Sequence, residues 1–306
     1  MSEKITRRGF LKGAAAGGLG FVFLRNPGSA FGYAANEKLN IAVIGCGGMG
    51  KGDMNSVGRL ANIVAVCDVR DEVTAEALKD YPNARAFADF RVMFDQMGKQ
   101  IDAVTVSTPD HTHAVAAMAA IKRGKHVYCE KPLTHSVAEA RELRELCRTS
   151  KVVTQMGNQG SASASLRRCT EIIQAGALGQ IREIYHWGVG VTAREGSAEG
   201  EDPVPPGFNW DLWVGPSALR PFKRDVYHPF RWRDWFDFGN GGLADICCHA
   251  INLPMRALDL GYPERLVLNM QDGKQTAGKA AVEFHFPARG KLVPLTLHWQ
   301  GNGTPP

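Results

Sequence analysis

An α/β chain built on a parallel sheet wound on both faces is predicted from three observations. Apolar strand-like runs alternate with helical patterns from Lys38 to about Gly157, which is how successive βαβ units read in sequence. The first run ends in Gly45-Cys46-Gly47-Gly48-Met49-Gly50, a G-x-G-x-x-G loop opening into a helix. The second ends in Asp68, about 20 residues downstream, where an acid meets a ribose diol in a dinucleotide site.

The elements follow in order. Leu39–Ile44 is the first strand, and a helix runs from the glycine loop to Val57. In such a loop the first glycine permits the tight turn, the second lets the backbone approach a pyrophosphate, and the third lets helix and strand pack closely. The helix N-terminus stabilises phosphate charge. Ile63–Cys67 is the next strand. Asp68 favours NAD by accepting from a ribose diol and repelling a 2′-phosphate, while Arg70 keeps NADP open because it could pair with that phosphate. Ile101–Ser107 is a strand opening into Thr108-Pro109-Asp110-His111-Thr112-His113, followed by an alanine-rich helix reaching Arg123. His126–Cys129 runs into Glu130-Lys131-Pro132, a helix covers Ser136–Ser150, and Lys151–Met156 forms a sixth strand. Lys131 thus sits at a strand's C-terminal edge, where open α/β sheets bind ligands.

Composition sets the frame for these elements. With 306 residues, 44% of them hydrophobic and 22% charged, the chain can form about two domains with proper cores. The net charge is +5, but residues 1–30 hold Lys4, Arg7, Arg8, Lys12 and Arg25 against Glu3 alone, so four of the five charges lie there. The remainder has no basic tract and no alternation of basic and aromatic residues, which gives no case for nucleic-acid binding. Thr6-Arg7-Arg8-Gly9-Phe10-Leu11-Lys12 before the small, apolar run Gly13–Leu24 reads as a twin-arginine signal. Gly28 and Ala30 fit a cleavage site after Ala30. Residues 1–30 are therefore assigned to the signal and 31–37 to a linker, with the twin-arginine export machinery as a partner and a periplasmic or secreted location. The seven cysteines are odd in number, show no disulfide framework and include no C-x-x-C; together with the absence of a histidine ligand pair, this leads us to expect no metal.

The Gly45 loop, Thr108-Pro109-x-x-x-His113 and Glu130-Lys131-Pro132 together resemble the glucose-fructose oxidoreductase/inositol dehydrogenase family (Gfo/Idh/MocA). That family carries G-G-x-x-x-D-x-x-x-H in its second domain, and Gly241-Gly242-Leu243-Ala244-Asp245-Ile246-Cys247-Cys248-His249 fits every fixed position. The resemblance implies a Rossmann domain over 38–157 and an α+β substrate domain over 158–306 with an open, mostly antiparallel sheet. It also implies that this chain stops before its second domain is complete, and that the second sheet forms a homo-oligomer. Candidate strands there are Ile181–Gly188, Leu266–Met270, Ala280–Phe286 and Leu292–Gln300.

The implied cofactor contacts are Gly45, Gly47, Gly48, Met49, Gly50, Asp68, Arg70, Ser107, Thr108, Pro109, His113, Glu130, Lys131 and Gln159. The implied catalytic group is Lys131, Asp245 and His249: His249 acts as base, Asp245 orients it, and Lys131 stabilises alkoxide charge. Asp245 and His249 are one helical turn apart and share a face. Residues 192–238 form a long irregular stretch in which Trp210, Tyr227, His228, Arg231 and Trp232 suit stacking on sugar faces, or else pack the loop onto the sheet. Three functions stay open at this level: a dehydrogenase acting on a carbohydrate or cyclitol hydroxyl, an exported glycosidase holding NAD tightly through oxidation, elimination and reduction, and a non-catalytic sugar-binding protein.

Overall fold

The computed structural model describes residues 38–188, 194–269 and 281–301. The predicted signal, the linker, and the segments at 189–193, 270–280 and 302–306 lie outside the described residues.

Six strands form the first sheet: β1 (Asn40–Ile44), β2 (Asn62–Cys67), β3 (Arg85–Phe87), β4 (Ala103–Val106), β5 (His126–Glu130) and β6 (Thr154–Gly157). Their order is β3-β2-β1-β4-β5-β6, and every pairing is parallel. The connections are helical: α1 (Met49–Gly58), α2 (Asp71–Asp80), α3 (Phe90–Met97), α4 (Asp110–Lys122) and α5 (Val137–Thr149). Alternate side chains of β1 enter two separate cores. Ile41 and Val43 pack with Met54 and Val73 on one face, while Ala42 and Ile44 pack with Met93, Phe94 and Ala117 on the other. Burial on both faces is why these strands read as continuous apolar runs.

Two details differ from the sequence reading. Strand β3 escaped it because the strand is three residues long and its first two are exposed. Strand β6 begins at Thr154 rather than Lys151, because the Val153 N–H is taken by His126 Nδ1 at 2.8 Å. The start of α5 is fixed by a capping box in which Ser136 Oγ accepts from the Glu139 N–H and Glu139 accepts from the Ser136 N–H.

The second sheet holds β7 (Glu183–Gly188), β8 (Arg265–Asn269), β9 (Ala281–Phe286) and β10 (Leu295–Gly301) in the order β7-β10-β9-β8. It is mostly antiparallel, with β10 parallel to β7. Helices α6 (Ala164–Gln174), α8 (Gly241–Ala250) and α9 (Asn252–Ala257) accompany it; a short helix α7 (Trp210–Val214) precedes α8. Leu295, Leu297, Trp299, Val282 and Phe286 turn inward against residues of α8 and α9.

The stretch 194–238 is a strap laid over the C-terminal edge of the first sheet. Gly207 O accepts from the Asp71 N–H and Val69 O from the Asn209 N–H, both at 2.8 Å, beyond β2. Phe238 O accepts from the His111 N–H at 3.3 Å, and the His111 Nε2–H donates to Trp213 O at 2.9 Å, at the start of α4. His135 Nε2 donates to Phe236 O at 2.7 Å, past β5. The strap's own interior is Trp210, Trp213, Phe222, Tyr227, Trp232, Trp235 and Phe238.

Candidate active site

The glycine loop behaves as its pattern requires. At φ +82°, Gly45 sits where a Cβ would come 2.6 Å from Ser107 O. A Cβ at Gly50 would fall 1.9 Å from Gly45 O, so the third glycine is what lets α1 close on β1. A Cβ at Gly48 would meet nothing within 4 Å, so open space lies at the N-terminus of α1, where a phosphate would approach. Asp68 Oδ2 accepts from the Cys46 N–H at 3.0 Å and Oδ1 from the Arg70 N–H at 3.1 Å. Burial raises its carboxyl above the usual range. Arg70 Nη1 pairs with Glu72 at 3.1 Å and Lys51 with Glu76 at 2.6 Å. Both cations near the ribose end are thus neutralised, which suits a diol better than a 2′-phosphate. A cavity of about 380 Å³ lined by Gly47, Gly48, Lys51 and Arg70 opens beside the loop. The residues present therefore fit a dinucleotide.

Further along the edge, Ser107 Oγ donates to Asp53 at 2.7 Å. His113 is fully enclosed between two carbonyls, Thr108 O at 2.6 Å and Pro132 O at 2.7 Å, and ties the loop after β4 to the turn after β5. Pro109 caps α4 at its N-terminus. Glu130 is buried and accepts from Tyr128 Oη at 3.1 Å and Gln159 Nε2 at 2.6 Å. Met49 is exposed in the first turn of α1.

At the centre, Lys131 Nζ donates to Asp245 Oδ1 and, at 2.9 Å, to Asp245 O. Both side chains are nearly enclosed, 12% and 8% exposed. Asp245 Oδ2 lies 3.6 Å from Arg233 Nε. Burial, and then the Lys131 charge, hold the His249 imidazole below its usual value, which favours its neutral form. Its ring faces the main chain of Gln159. The helix carrying this pair is anchored from the first domain: the Asn240 N–H donates to Asp110 Oδ2 at 3.1 Å, and Asn240 Nδ2 donates to Thr134 O at 2.8 Å.

Lys131 and Asp245 therefore meet, with His249 one helical turn further along α8, but the aromatic stretch needs correction. Trp210, Tyr227 and Trp232 are buried within the strap, where Trp210 stacks on Trp213 at 4.7 Å and donates to Arg220 O at 2.7 Å. They pack the strap instead of lining a cleft. His228 lies at the opposite end, lining a cavity of about 230 Å³ with Arg70 and Phe208. Arg231 is exposed and pairs with Asp234 at 3.3 Å. Asp110 and Arg233, which the sequence places in a loop and in an aromatic and basic stretch, also stand beside this group. Asp110 lay inside the noted Thr108–His113 loop, and Arg233 two residues past Arg231.

A parallel six-stranded sheet with a glycine loop at its edge, followed by a second, mostly antiparallel sheet with helices, is the architecture of a dinucleotide-binding Rossmann unit joined to an α/β unit, and the candidate site lies between them. Comparison with known proteins gives the family. The family model for the NAD-binding Rossmann fold of the Gfo/Idh/MocA oxidoreductases matches residues 39–158, and the model for the family's C-terminal alpha/beta domain matches 181–274. The chain belongs to this family, and its first domain is an NAD-binding Rossmann domain. It is similar to levoglucosan dehydrogenase of Pseudarthrobacter phenanthrenivorans, 23% identical over 71% of this chain and 50% of that protein. It is also similar to a glycosyl hydrolase family 109 protein of Solibacter usitatus, 33% identical over 46% of this chain and 36% of that protein. The chain thus spans half or less of the length of these relatives. Among solved structures, the WlbA dehydrogenase of Bordetella pertussis in complex with NADH and UDP-GlcNAcA shares the fold, with a TM-score of 0.63 at 18% identity over 87% of this chain and 72% of that one.

Proposed function

We propose that the protein oxidises a secondary hydroxyl of a sugar, cyclitol or sugar derivative, with Lys131, Asp245 and His249 at the reacting carbon. The observation that carries this reading is the enclosed ion pair between Lys131 of the first domain and Asp245 of the second, with His249 one helical turn beyond. The glycine loop, Asp68 and the loop after β4 would hold NAD, which when bound would supply the hydride acceptor. The rest falls to the chain. The neutral His249 ring takes the hydroxyl proton. The Lys131 ammonium, aimed by Asp245, donates to the oxygen as negative charge develops there; in a site this enclosed, such a donor acts in a low dielectric. Lys131→Ala should lower turnover by about 10²–10⁴-fold, measured as NADH formed from NAD over a panel of sugars and cyclitols. Comparable turnover in the variant refutes the assignment.

A second reading, an exported glycosidase that retains NAD, draws support from the likeness to a glycosyl hydrolase family 109 protein and from the strap across the cofactor edge. The predicted twin-arginine signal favours it too, since free NAD is scarce outside the cytoplasm. Cofactor that stays with the purified protein, with sugar released from an aryl glycoside and no net NADH, selects this reading.

A further inference from the structure

We propose that Arg233 is the specificity residue of the site and that the substrate it selects is a sugar carrying a carboxylate. The proposal rests on the oxidoreductase reading above and names its substrate class.

Three features of Arg233 lead there. Its guanidinium carbon lies 4.0 Å from the Trp232 ring centroid and 4.4 Å from that of Phe230. Two rings so placed fix the guanidinium plane and leave its edge for in-plane hydrogen bonds. The backbone beneath is pinned as well, because a Cβ on Gly239 would come 2.9 Å from Arg233 Cα. Second, the fork is open. Among the described residues its ion-pair partner is Asp245, reached through Nε at 3.6 Å, and no hydrogen bond engages its two terminal nitrogens. The side chain is 25% exposed, so solvent and solutes reach it beside Asp245, and its neighbour Phe230 is 66% exposed.

Third, the charges do not balance. Lys131 and Arg233 share one carboxylate, Asp245, whose Oδ1 is already engaged by Lys131. The second acid nearby, Asp110, is pushed up to about 7 by burial and by Asp245, so near neutrality it is only partly ionised. His249 is held toward its neutral form. The group thus carries an excess of positive charge beside a planar, two-pronged donor, which fits a carboxylate accepting two parallel N–H bonds. The exposed Phe230 face offers apolar contact to the C–H face of a sugar ring.

The test is calorimetric binding of D-glucuronate, D-galacturonate and D-mannuronate, each against its neutral hexose, to the NAD-loaded protein. We expect at least one uronate to bind roughly tenfold or more tightly than its neutral partner. In Arg233→Gln the gap should close to within about twofold; Arg233→Lys should keep part of it, because the charge survives without the fork. No uronate preferred by the wild type, a preference that survives Arg233→Gln, or tighter binding of D-glucose 6-phosphate than of every uronate overturns the proposal. Should Arg233→Gln fail to bind NAD, the decision rests on Arg233→Lys, where an undiminished preference overturns it. A wild type that does not bind NAD at all would instead count against the oxidoreductase reading.

Discussion

Lys131 and Asp245 stand 114 positions apart in the chain and form one enclosed ion pair. Removing one member of such a pair leaves a buried charge without its partner, so either deletion costs more than the intact pair contributes. Asp110 tests the electrostatics around them. Its carboxyl sits at about 7 in the fold, against about 3.9 in an unfolded chain. Between those values the folded state binds the extra proton, so this group lowers stability as pH rises through the window and has no effect below it. Asp110→Asn, which can still accept from the Asn240 N–H, should therefore stabilise the protein by about 1–3 kcal/mol near pH 8, with the gain vanishing toward pH 4. Denaturant unfolding across that range checks both sign and window; a gain that is constant with pH contradicts the assignment. At this scale the sequence was legible where spacing carries chemistry. Asp245 and His249 are one turn apart in a motif, and Lys131 follows an apolar run. Arg233 was legible only as one member of an aromatic and basic stretch and Asp110 only as part of a loop, because the partners that distinguish them, Asp245 for one and Asn240 for the other, come from elsewhere in the chain.

Among the elements, the strap decides how the two halves of the site are held. Its contacts with the first domain run through His111, enclosed by Trp213 and Phe238, and past His228 beside Arg70. Burial depresses both imidazoles to about 4. The unfolded or detached segment takes up protons below about 6.5 while the docked one does not, so docking loses free energy as pH falls from about 6.5 toward 4. Hydrogen exchange at pH 5 compared with pH 7, corrected for intrinsic rates, should show protection falling more across 205–238 than in β1, β2 and β4. Equal losses in strap and sheet would contradict this. Asp110 works in the opposite sense over the same window, so the Asp110→Asn variant should be the more acid-sensitive of the two proteins. The strands of the first sheet were readable because burial on both faces makes them continuous apolar runs. The strap was not, because its tryptophans satisfy a sugar-stacking pattern and a packing pattern equally well. Tyr227, at 1% exposure, resolves the choice toward packing.

Over the whole molecule, the sheet order β3-β2-β1-β4-β5-β6 places the glycine loop and Asp68 on one side of the switch between β1 and β4, and Lys131 on the other. A dinucleotide would find its phosphate site at the N-terminus of α1, at the Gly45 loop. The topology was legible in advance, since strands alternating with helices define it, and the glycine loop marks where a phosphate would lie. The second sheet's course was legible only in outline, as strands that start or stop one to three residues from their expected bounds, because its outer face is half polar and gives a weaker alternation. The central claim is that cofactor binding and chemistry are carried by separate groups on this one edge. The measurement that tests it most directly is an NADH titration followed by energy transfer from tryptophan, on the wild type, Lys131→Ala and Gly50→Val. The wild type should bind, Lys131→Ala should bind within a few-fold of it, and Gly50→Val should lose binding, because the new side chain meets Gly45 O. Failure of the wild type to bind NADH, or equal loss in the Lys131 and Gly50 variants, would contradict the account.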